Sequence, residues 1–114
     1  KKREQFRPFA PAVLAEHVDT YFDMPVKDSP YMQFVARCRL PDLLPGICHV
    51  DNTSRVQTVT AKDNPVFRAL LEAWFDATGC PVLMNTSLNI KGEPLVNSWH
   101  DALRWEKLNG IRVF

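Results

Sequence analysis

The sequence predicts an α/β fold, a mixed twisted sheet with two main helices packed on it. Two segments place apolar residues at helical spacing between capping residues, whereas shorter segments alternate apolar and polar residues or are wholly apolar. The 114 residues are 46% hydrophobic and 24% charged, which is typical of a globular protein. We therefore expect a single domain over residues 1–114.

Capping residues delimit the predicted helices. The first covers Pro65–Thr78, between Asn64 and Gly79. The second covers Trp99–Asn109, where a serine precedes the helix and a glycine follows it. The apolar side chains of the first helix are expected on one face: Val66, Phe67, Leu70, Leu71, Trp74 and Phe75.

Strands are predicted where the helical period is lost. Tyr31–Arg39 and Thr53–Thr60 alternate, while Pro81–Met84 and Ile111–Phe114 are apolar runs that follow the two helices. The wholly apolar character of Pro81–Met84 favours an interior strand. Phe9–Leu14 is predicted to be a strand or the start of a helix, and Glu16–Phe22 is predicted to be a helical turn.

Composition excludes several classes of protein. The formal charge of +1 rules out a nucleic-acid binder that works by bulk charge. No apolar run approaches the roughly 20 residues of a membrane-spanning helix, and no secretory signal opens the chain. The cysteines, Cys38, Cys48 and Cys80, are odd in number, which argues against a disulfide framework or a cysteine-based zinc site. We expect a cytoplasmic protein with free, buried thiols, no metal-binding residues of its own, and neither a membrane nor a nucleic-acid partner.

Two basic or polar segments are candidates for a ligand site. In residues 1–7 four cations precede a Pro-Phe pair, and Arg7 lies between Phe6 and Pro8, a stiff setting that suits bidentate phosphate recognition. In residues 49–58, Arg55 and Gln57 share one strand face directly after a polar loop. The alternative interpretations are a frayed terminus and a surface hairpin tip.

A third segment carries the strongest signal. The apolar run of residues 81–84 leads directly into Asn85-Thr86-Ser87-Leu88-Asn89. In α/β proteins ligands bind at the carboxyl ends of strands, and small hydroxyl and amide side chains approach a phosphate or carbonyl group without adding charge. The alternative is a plain turn rich in Asn and Ser. No Gly-rich P-loop is present, which excludes an ATPase of that type.

Five motifs in this order carry a resemblance to a known family. They are Lys-x-Arg-Glu-x-Phe-Arg-Pro-Phe-Ala-Pro at 1–11, Ser-Pro-Tyr-Met at 29–32, His-Val-Asp-x-Thr-x-Arg-Val-Gln-Thr-Val at 49–59, Asn-Pro-x-Phe at 64–67, and Pro-Val-Leu-Met-Asn-Thr-Ser-Leu-Asn-x-Lys-Gly-Glu-Pro at 81–94. Together they resemble the C-terminal domain of the O-carbamoyltransferases, the group of nodulation protein U and the antibiotic-tailoring carbamoyltransferases. The resemblance covers nearly the whole chain.

The resemblance implies a YrdC-like domain that binds ATP and carbamoyl phosphate and forms carbamoyladenylate, with Mg2+ accompanying the triphosphate. A larger, actin-like N-terminal domain of the same polypeptide would then transfer the carbamoyl group to a hydroxyl. The chain is accordingly expected to be a fragment with a truncated YrdC-like sheet, inactive alone in the full transfer. Homodimer formation is left open.

The resemblance also assigns residues. Lys1 and Arg3 match the family's Lys-x-Arg, and Ser87 and Asn89 match its Ser-x-Asn, two parts of the nucleotide site. The expected catalytic residues are Arg7, Arg55 and Ser87, and the expected ATP-binding residues are Lys1, Arg3, Asn85, Thr86 and Asn89. Two other functions are compatible with the sequence: formation of threonylcarbamoyl-adenylate for tRNA modification, and a non-catalytic interaction module.

Overall fold

The structure is a computed structural model that describes residues 9–114. Two compact units divide the described residues, one over 9–85 with every strand and the other over 86–114. The strands are β1 (Ala10–Leu14), β2 (Phe22–Asp23), β3 (Phe34–Cys38), β4 (Thr53–Val59) and β5 (Val82–Asn85). The helices are α1 (Val18–Tyr21), which follows a 3-10 turn at Ala15–His17, α2 (Pro65–Thr78) and α3 (Trp99–Asn109).

The five strands form one mixed sheet in the order β2-β3-β4-β1-β5. Strands β1 and β4 are parallel, and every other neighbouring pair is antiparallel. Ala12 of β1 lies level with Gln57 of β4 on one side and with Leu83 of β5 on the other. The predicted α/β class with a mixed sheet is confirmed.

Each face of the sheet has its own apolar cluster, because side chains alternate between the faces along every strand. On one face lie Val13, Val18, Phe22, Ala36, Cys38, Ile47, Val56 and Val82. On the other face α2 packs on β1, β4 and β5, through Leu71, Phe67 and Phe75 against Ala12, Leu14, Val59 and Leu83.

Helix α2 begins and ends where the sequence predicts. The Asn64 side chain accepts a hydrogen bond from the backbone N–H of Phe67 at 3.0 Å, and Gly79 ends the helix with a left-handed φ of 70°. The sheet covers only part of the apolar face of α2, since Val66, Leu70 and Trp74 are exposed. Six apolar positions span about half the circumference of the helix, and the sheet covers only the part that holds Phe67, Leu71 and Phe75.

Two strand predictions need correction. Strand β5 is not an interior strand: within the described residues it lies at the edge of the sheet, beside β1. Its apolar run reflects burial of Val82 on one face and contact of Leu83 with α2's cluster on the other. Residues 111–114 form no strand, because the backbone N–H of Val113 donates to Glu106 Oε2 at 2.7 Å and Phe114 is exposed.

The three cysteines are free thiols, as predicted, but only Cys38 is buried, while Cys48 and Cys80 are half-buried. Cys48 packs against the cluster that contains Cys38. Burial, together with hydrogen bonding to Cys38, raises the pKa of the Cys48 thiol to about 11. No helix within residues 9–114 has the length and apolarity that crossing a bilayer requires.

Candidate functional site

A buried serine anchors the turn that precedes β3. Ser29 is fully buried, its backbone N–H donates to Thr58 Oγ1 at 2.8 Å, and its hydroxyl donates to the carbonyl of Val56 at 2.9 Å. The Ser29 carbonyl accepts from the backbone N–H of Thr58 at 3.1 Å. These bonds fasten the turn of residues 29–32 to β4. The turn ends at Met32, whose φ of 54° is left-handed, so β3 begins at Phe34 and not at residue 31 as predicted.

A chain of side-chain amides starts at this turn. Gln57 Nε2 donates to the carbonyl of Pro30 at 3.0 Å, and Asn85 Nδ2 donates to Gln57 Oε1 at 2.7 Å. Asn85 Nδ2 also lies 4.0 Å from the sulfur of Met32. The Ser-Pro-Tyr-Met turn, β4 and β5 are therefore joined at one place through Gln57 and Asn85.

The strand register places Arg55 on the same face as this chain. Ala10 pairs with Asn85, and Ala12 pairs with Gln57 in the parallel strand, so Ala10 lies level with Arg55. Arg55 and Asn85 are thus two strands apart, roughly 10 Å between their strands, with only the small Ala10 between them. We call Arg55, Ala10 and Asn85 the site row. It lies on the face that carries α2, beyond the apolar cluster.

The site row is electropositive at its Arg55 end. Arg55 is exposed, and no ion pair engages it among the residues described. Val35 pairs with Arg55 across β3 and β4, and Arg37 lies two residues further along β3 on the same face. Arg37 is exposed as well. Two adjacent guanidinium groups on one face are suited to bind a phosphate.

The loop after β5 belongs to the second unit, where Ser87 and Asn89 shape the backbone. The Ser87 hydroxyl donates to Asn89 Oδ1 at 2.9 Å, and Asn89 Nδ2 donates to the carbonyls of Ile90 and Glu93 at 3.2 and 3.1 Å. The carbonyl of Asn89 accepts from Trp105 Nε1 at 3.1 Å, which ties the loop to α3. Asn89 therefore holds this loop together through both ends of its side chain.

A depression of about 220 Å³ lies further along the second unit. It is lined by Ile90, Glu93, Pro94, Leu95, Val96, Asn97, Asp101 and Arg104. Arg104 is neutralised there by Glu93, through two hydrogen bonds of 2.9 Å. The depression includes neither Ser87 nor Asn89, so it does not coincide with the predicted site.

The structure brings together two of the predicted site residues, Arg55 and Asn85, in the first unit. Thr86, Ser87 and Asn89 lie in the second unit. The predictions for Lys1, Arg3 and Arg7 fall outside the described residues. The alternation of β4 groups Gln57 with Arg55 without assigning it to the site, and the alternation along β3 puts Arg37 on one face without linking it to Arg55.

The residues after β5 do not follow a strand that is parallel to its neighbour. Strand β5 is antiparallel to β1, so Asn85 at its carboxyl end lies beside Ala10, at the amino end of β1. The general placement of ligands at the carboxyl ends of parallel strands therefore does not apply here. Among residues 9–114, no cluster of three or more His, Cys, Asp or Glu side chains is arranged to hold a metal ion.

Comparison with known proteins places the chain in a family. The family model described as "Carbamoyltransferase C-terminus" matches residues 1–114. Nodulation protein NolO of Bradyrhizobium diazoefficiens is 43% identical over an alignment of 107 positions, which covers 90% of this chain and 20% of NolO. The 3'-hydroxymethylcephem-O-carbamoyltransferase of Amycolatopsis lactamdurans is 39% identical over 111 residues, 97% of this chain and 21% of that enzyme.

Nodulation protein U of Sinorhizobium fredii is 32% identical over 113 residues, which are 97% of this chain and 20% of that protein. The chain thus spans about a fifth of the length of these relatives. Because the family model extends from the first residue to the last, this protein belongs to the carbamoyltransferase C-terminal family.

Proposed function

We propose that this chain is the adenylate-forming part of an O-carbamoyltransferase. It binds ATP and carbamoyl phosphate and forms carbamoyladenylate, whose carbamoyl group a separate part of the polypeptide transfers to a hydroxyl. Family membership and the name of the cephem O-carbamoyltransferase support a carbamoyl transfer. The observation that carries the proposal is the site row, where an exposed Arg55 and an oriented Asn85 share one face of the sheet.

The chemistry requires positive charge more than a nucleophile. Carbamoyl phosphate and water yield carbamate and phosphate, and a carbamate oxygen then attacks the α-phosphorus of ATP while the bond to pyrophosphate breaks. Negative charge gathers on the phosphate oxygens, and Arg55, with Arg37 on the neighbouring strand, would neutralise it. Mg2+ would accompany the triphosphate, held by phosphate oxygens and water. The family resemblance assigns further residues to the ATP and carbamoyl phosphate chemistry: Lys1, Arg3, Arg7, Thr86, Ser87 and Asn89.

Replacement of Arg55 tests the proposal. Arg55→Ala removes a charge-assisted hydrogen bond, so ATP binding by the complete protein should weaken by about 1–3 kcal/mol, measured by isothermal titration calorimetry. Arg39→Ala is the matched control, because Arg39 is already neutralised by Asp23 at 2.6 Å. Equal ATP affinity of the Arg55→Ala variant and the unmodified protein would contradict the assignment of Arg55.

Pyrophosphate release distinguishes the two adenylates. The complete protein should release pyrophosphate from ATP with carbamoyl phosphate but not with L-threonine and bicarbonate. The opposite preference would identify a threonylcarbamoyl-adenylate synthase. A protein that releases no pyrophosphate with either substrate set, and that does not bind ATP in the calorimetric titration, would instead be a non-catalytic interaction module.

A further inference from the structure

Chemistry fixes the direction of the amide chain that runs from Pro30 to Asn85. The carbonyl of Pro30 only accepts, so Gln57 must turn its NH2 group toward it, at 3.0 Å. Gln57 Oε1, at the opposite end of that amide, then faces Asn85 and also only accepts. Asn85 must therefore present its own NH2 group to Gln57, at 2.7 Å. One backbone carbonyl thus determines the orientation of two side-chain amides.

The NH2 group of Asn85 is fully used inside the protein. One hydrogen bond goes to Gln57 Oε1, and the sulfur of Met32, a weak acceptor, lies 4.0 Å away. Asn85 Oδ1 accepts no hydrogen bond from the described residues, and no buried side-chain oxygen or nitrogen in that part of the chain lacks a partner. The oxygen of Asn85 is therefore open to solvent, and the site row offers a fixed acceptor to a ligand.

A fixed acceptor does not suit an ionised phosphate group. Phosphate oxygens are negatively charged and accept hydrogen bonds, so they are repelled by Asn85 Oδ1 and attracted by Arg55. The site row consequently selects a ligand that carries an anionic group at one end and an N–H donor at the other. Turning the Asn85 amide to suit a phosphate would place oxygen against Gln57 Oε1 and is prevented by the Pro30 carbonyl.

We propose that Asn85 recognises the NH2 of the carbamoyl group, and that Gln57 is the positioning residue that keeps the Asn85 oxygen toward it. This inference rests on the proposed function. In carbamoyl phosphate only one carbon and one oxygen separate the NH2 group from the phosphorus, so Arg55 and Asn85 reach both ends across Ala10. The amino group of adenine is separated from the phosphates of ATP by the base and the ribose, and fits this spacing less well.

Acetyl phosphate provides the test, because it replaces the NH2 of carbamoyl phosphate by a methyl group. The complete protein should bind carbamoyl phosphate about tenfold more tightly than acetyl phosphate, the effect of one hydrogen bond. Asn85→Leu and Gln57→Met should each abolish this preference while leaving the affinity for acetyl phosphate nearly unchanged. Asn97→Leu, at an exposed asparagine, is the matched control and should keep the preference.

The ratio of the affinities for carbamoyl phosphate and acetyl phosphate distinguishes a loss of side-chain positioning from a loss of fold stability. A variant that merely loosens the sheet weakens both ligands together, and thermal unfolding of each variant checks for this. The Asn85 side-chain amide resonances should also shift in Gln57→Met without ligand. Equal binding of both phosphates by the unmodified protein, or a preference that survives Asn85→Leu, overturns the inference.

Further results distinguish a failure of the inference about Asn85 from a failure of the proposed function. If Asn85→Leu alters the preference for ATP over inosine triphosphate and not that for carbamoyl phosphate, the Asn85 oxygen recognises adenine, and the inference is wrong. If no phosphate ligand binds in an Arg55-dependent manner, the proposed function fails and the inference fails with it. Arg55-dependent binding without a carbamoyl preference overturns the inference alone.

Discussion

At the scale of single residues, the site row depends on a side chain that does not belong to it. Ser29 forms hydrogen bonds with Val56 and Thr58 of β4. Its hydroxyl also accepts a hydrogen bond from the backbone N–H of Gln33 at 3.2 Å. These bonds hold the Pro30 carbonyl where Gln57 meets it. A buried hydroxyl that donates and accepts at once leaves two backbone groups without partners when it is removed.

Ser29→Ala should destabilise the protein by about 1–3 kcal/mol, because the Val56 carbonyl and the Gln33 N–H lose a buried partner. Urea unfolding followed by circular dichroism measures the loss. Tyr31→Ala in the same turn is the control: Tyr31 is 75% exposed, and its replacement should change stability by less than about 0.5 kcal/mol. A Ser29→Ala variant as stable as the Tyr31→Ala variant would show that the turn needs no anchor.

Sequence pattern predicts part of this site. Alternation along β4 correctly placed Arg55 and Gln57 on one face, since a period of two follows from strand geometry alone. The role of Ser29 could not be predicted, because its partners Val56 and Thr58 lie almost thirty positions away in the chain. Which small polar side chains anchor a turn and which contact a ligand depends on tertiary contacts that no local pattern records.

At the scale of elements, α2 shows how local signals suffice for a helix. A helix leaves backbone groups unpaired at its ends. The Asn64 side chain accepts from one of these N–H groups, Pro65 has no N–H to satisfy, and Gly79 ends the helix. Both ends were predicted correctly. The helix is also tied to the turn before α1, where Arg68 Nη1 donates to Glu16 Oε2 at 2.8 Å. The position of β5 in the sheet was mispredicted because order among strands is a property of the whole sheet.

Asn64→Ala should lower stability by about 1 kcal/mol, because the backbone N–H of Phe67 loses its capping acceptor. Thermal and urea unfolding give the difference. Lys62→Ala, an exposed position just before the helix, serves as the control and should be nearly neutral. If both variants unfold alike, packing of Leu71 against the sheet, and not the cap, sets the stability of α2.

At the scale of the whole molecule, three carboxylates make folding sensitive to acid. For Glu16, burial acts to raise the pKa, but hydrogen bonds and attraction from Arg68 outweigh it, so the pKa is lowered from its ordinary 4.5. Hydrogen bonds from Thr53 lower the pKa of Asp51, and the Ser98 hydroxyl lowers that of Asp101. Each group therefore favours the folded state only while it is ionised.

The stabilisation from these groups is complete above their ordinary pKa values and is lost as the pH falls through the lowered ones. The melting temperature should thus decrease as the pH falls below about 4.5, the ordinary pKa of Glu16, and should continue to decrease at more acidic pH. Glu16→Gln should show a smaller decrease, because it removes the carboxylate that Arg68 stabilises. If the melting temperature of Glu16→Gln depends on pH in the same way as that of the unmodified protein, the Glu16–Arg68 ion pair does not contribute to the acid sensitivity.

The hydrogen bond between the side-chain amides of Gln57 and Asn85 has a spectroscopic consequence. The Gln57 and Asn85 NH2 groups donate to protein acceptors at 3.0 and 2.7 Å, so their protons should exchange with solvent deuterium more slowly than those of exposed amides such as Asn97. Two slowly exchanging side-chain signals in a nitrogen-15 correlation spectrum would then report, before any substrate is added, that the amide chain from Pro30 to Asn85 is formed.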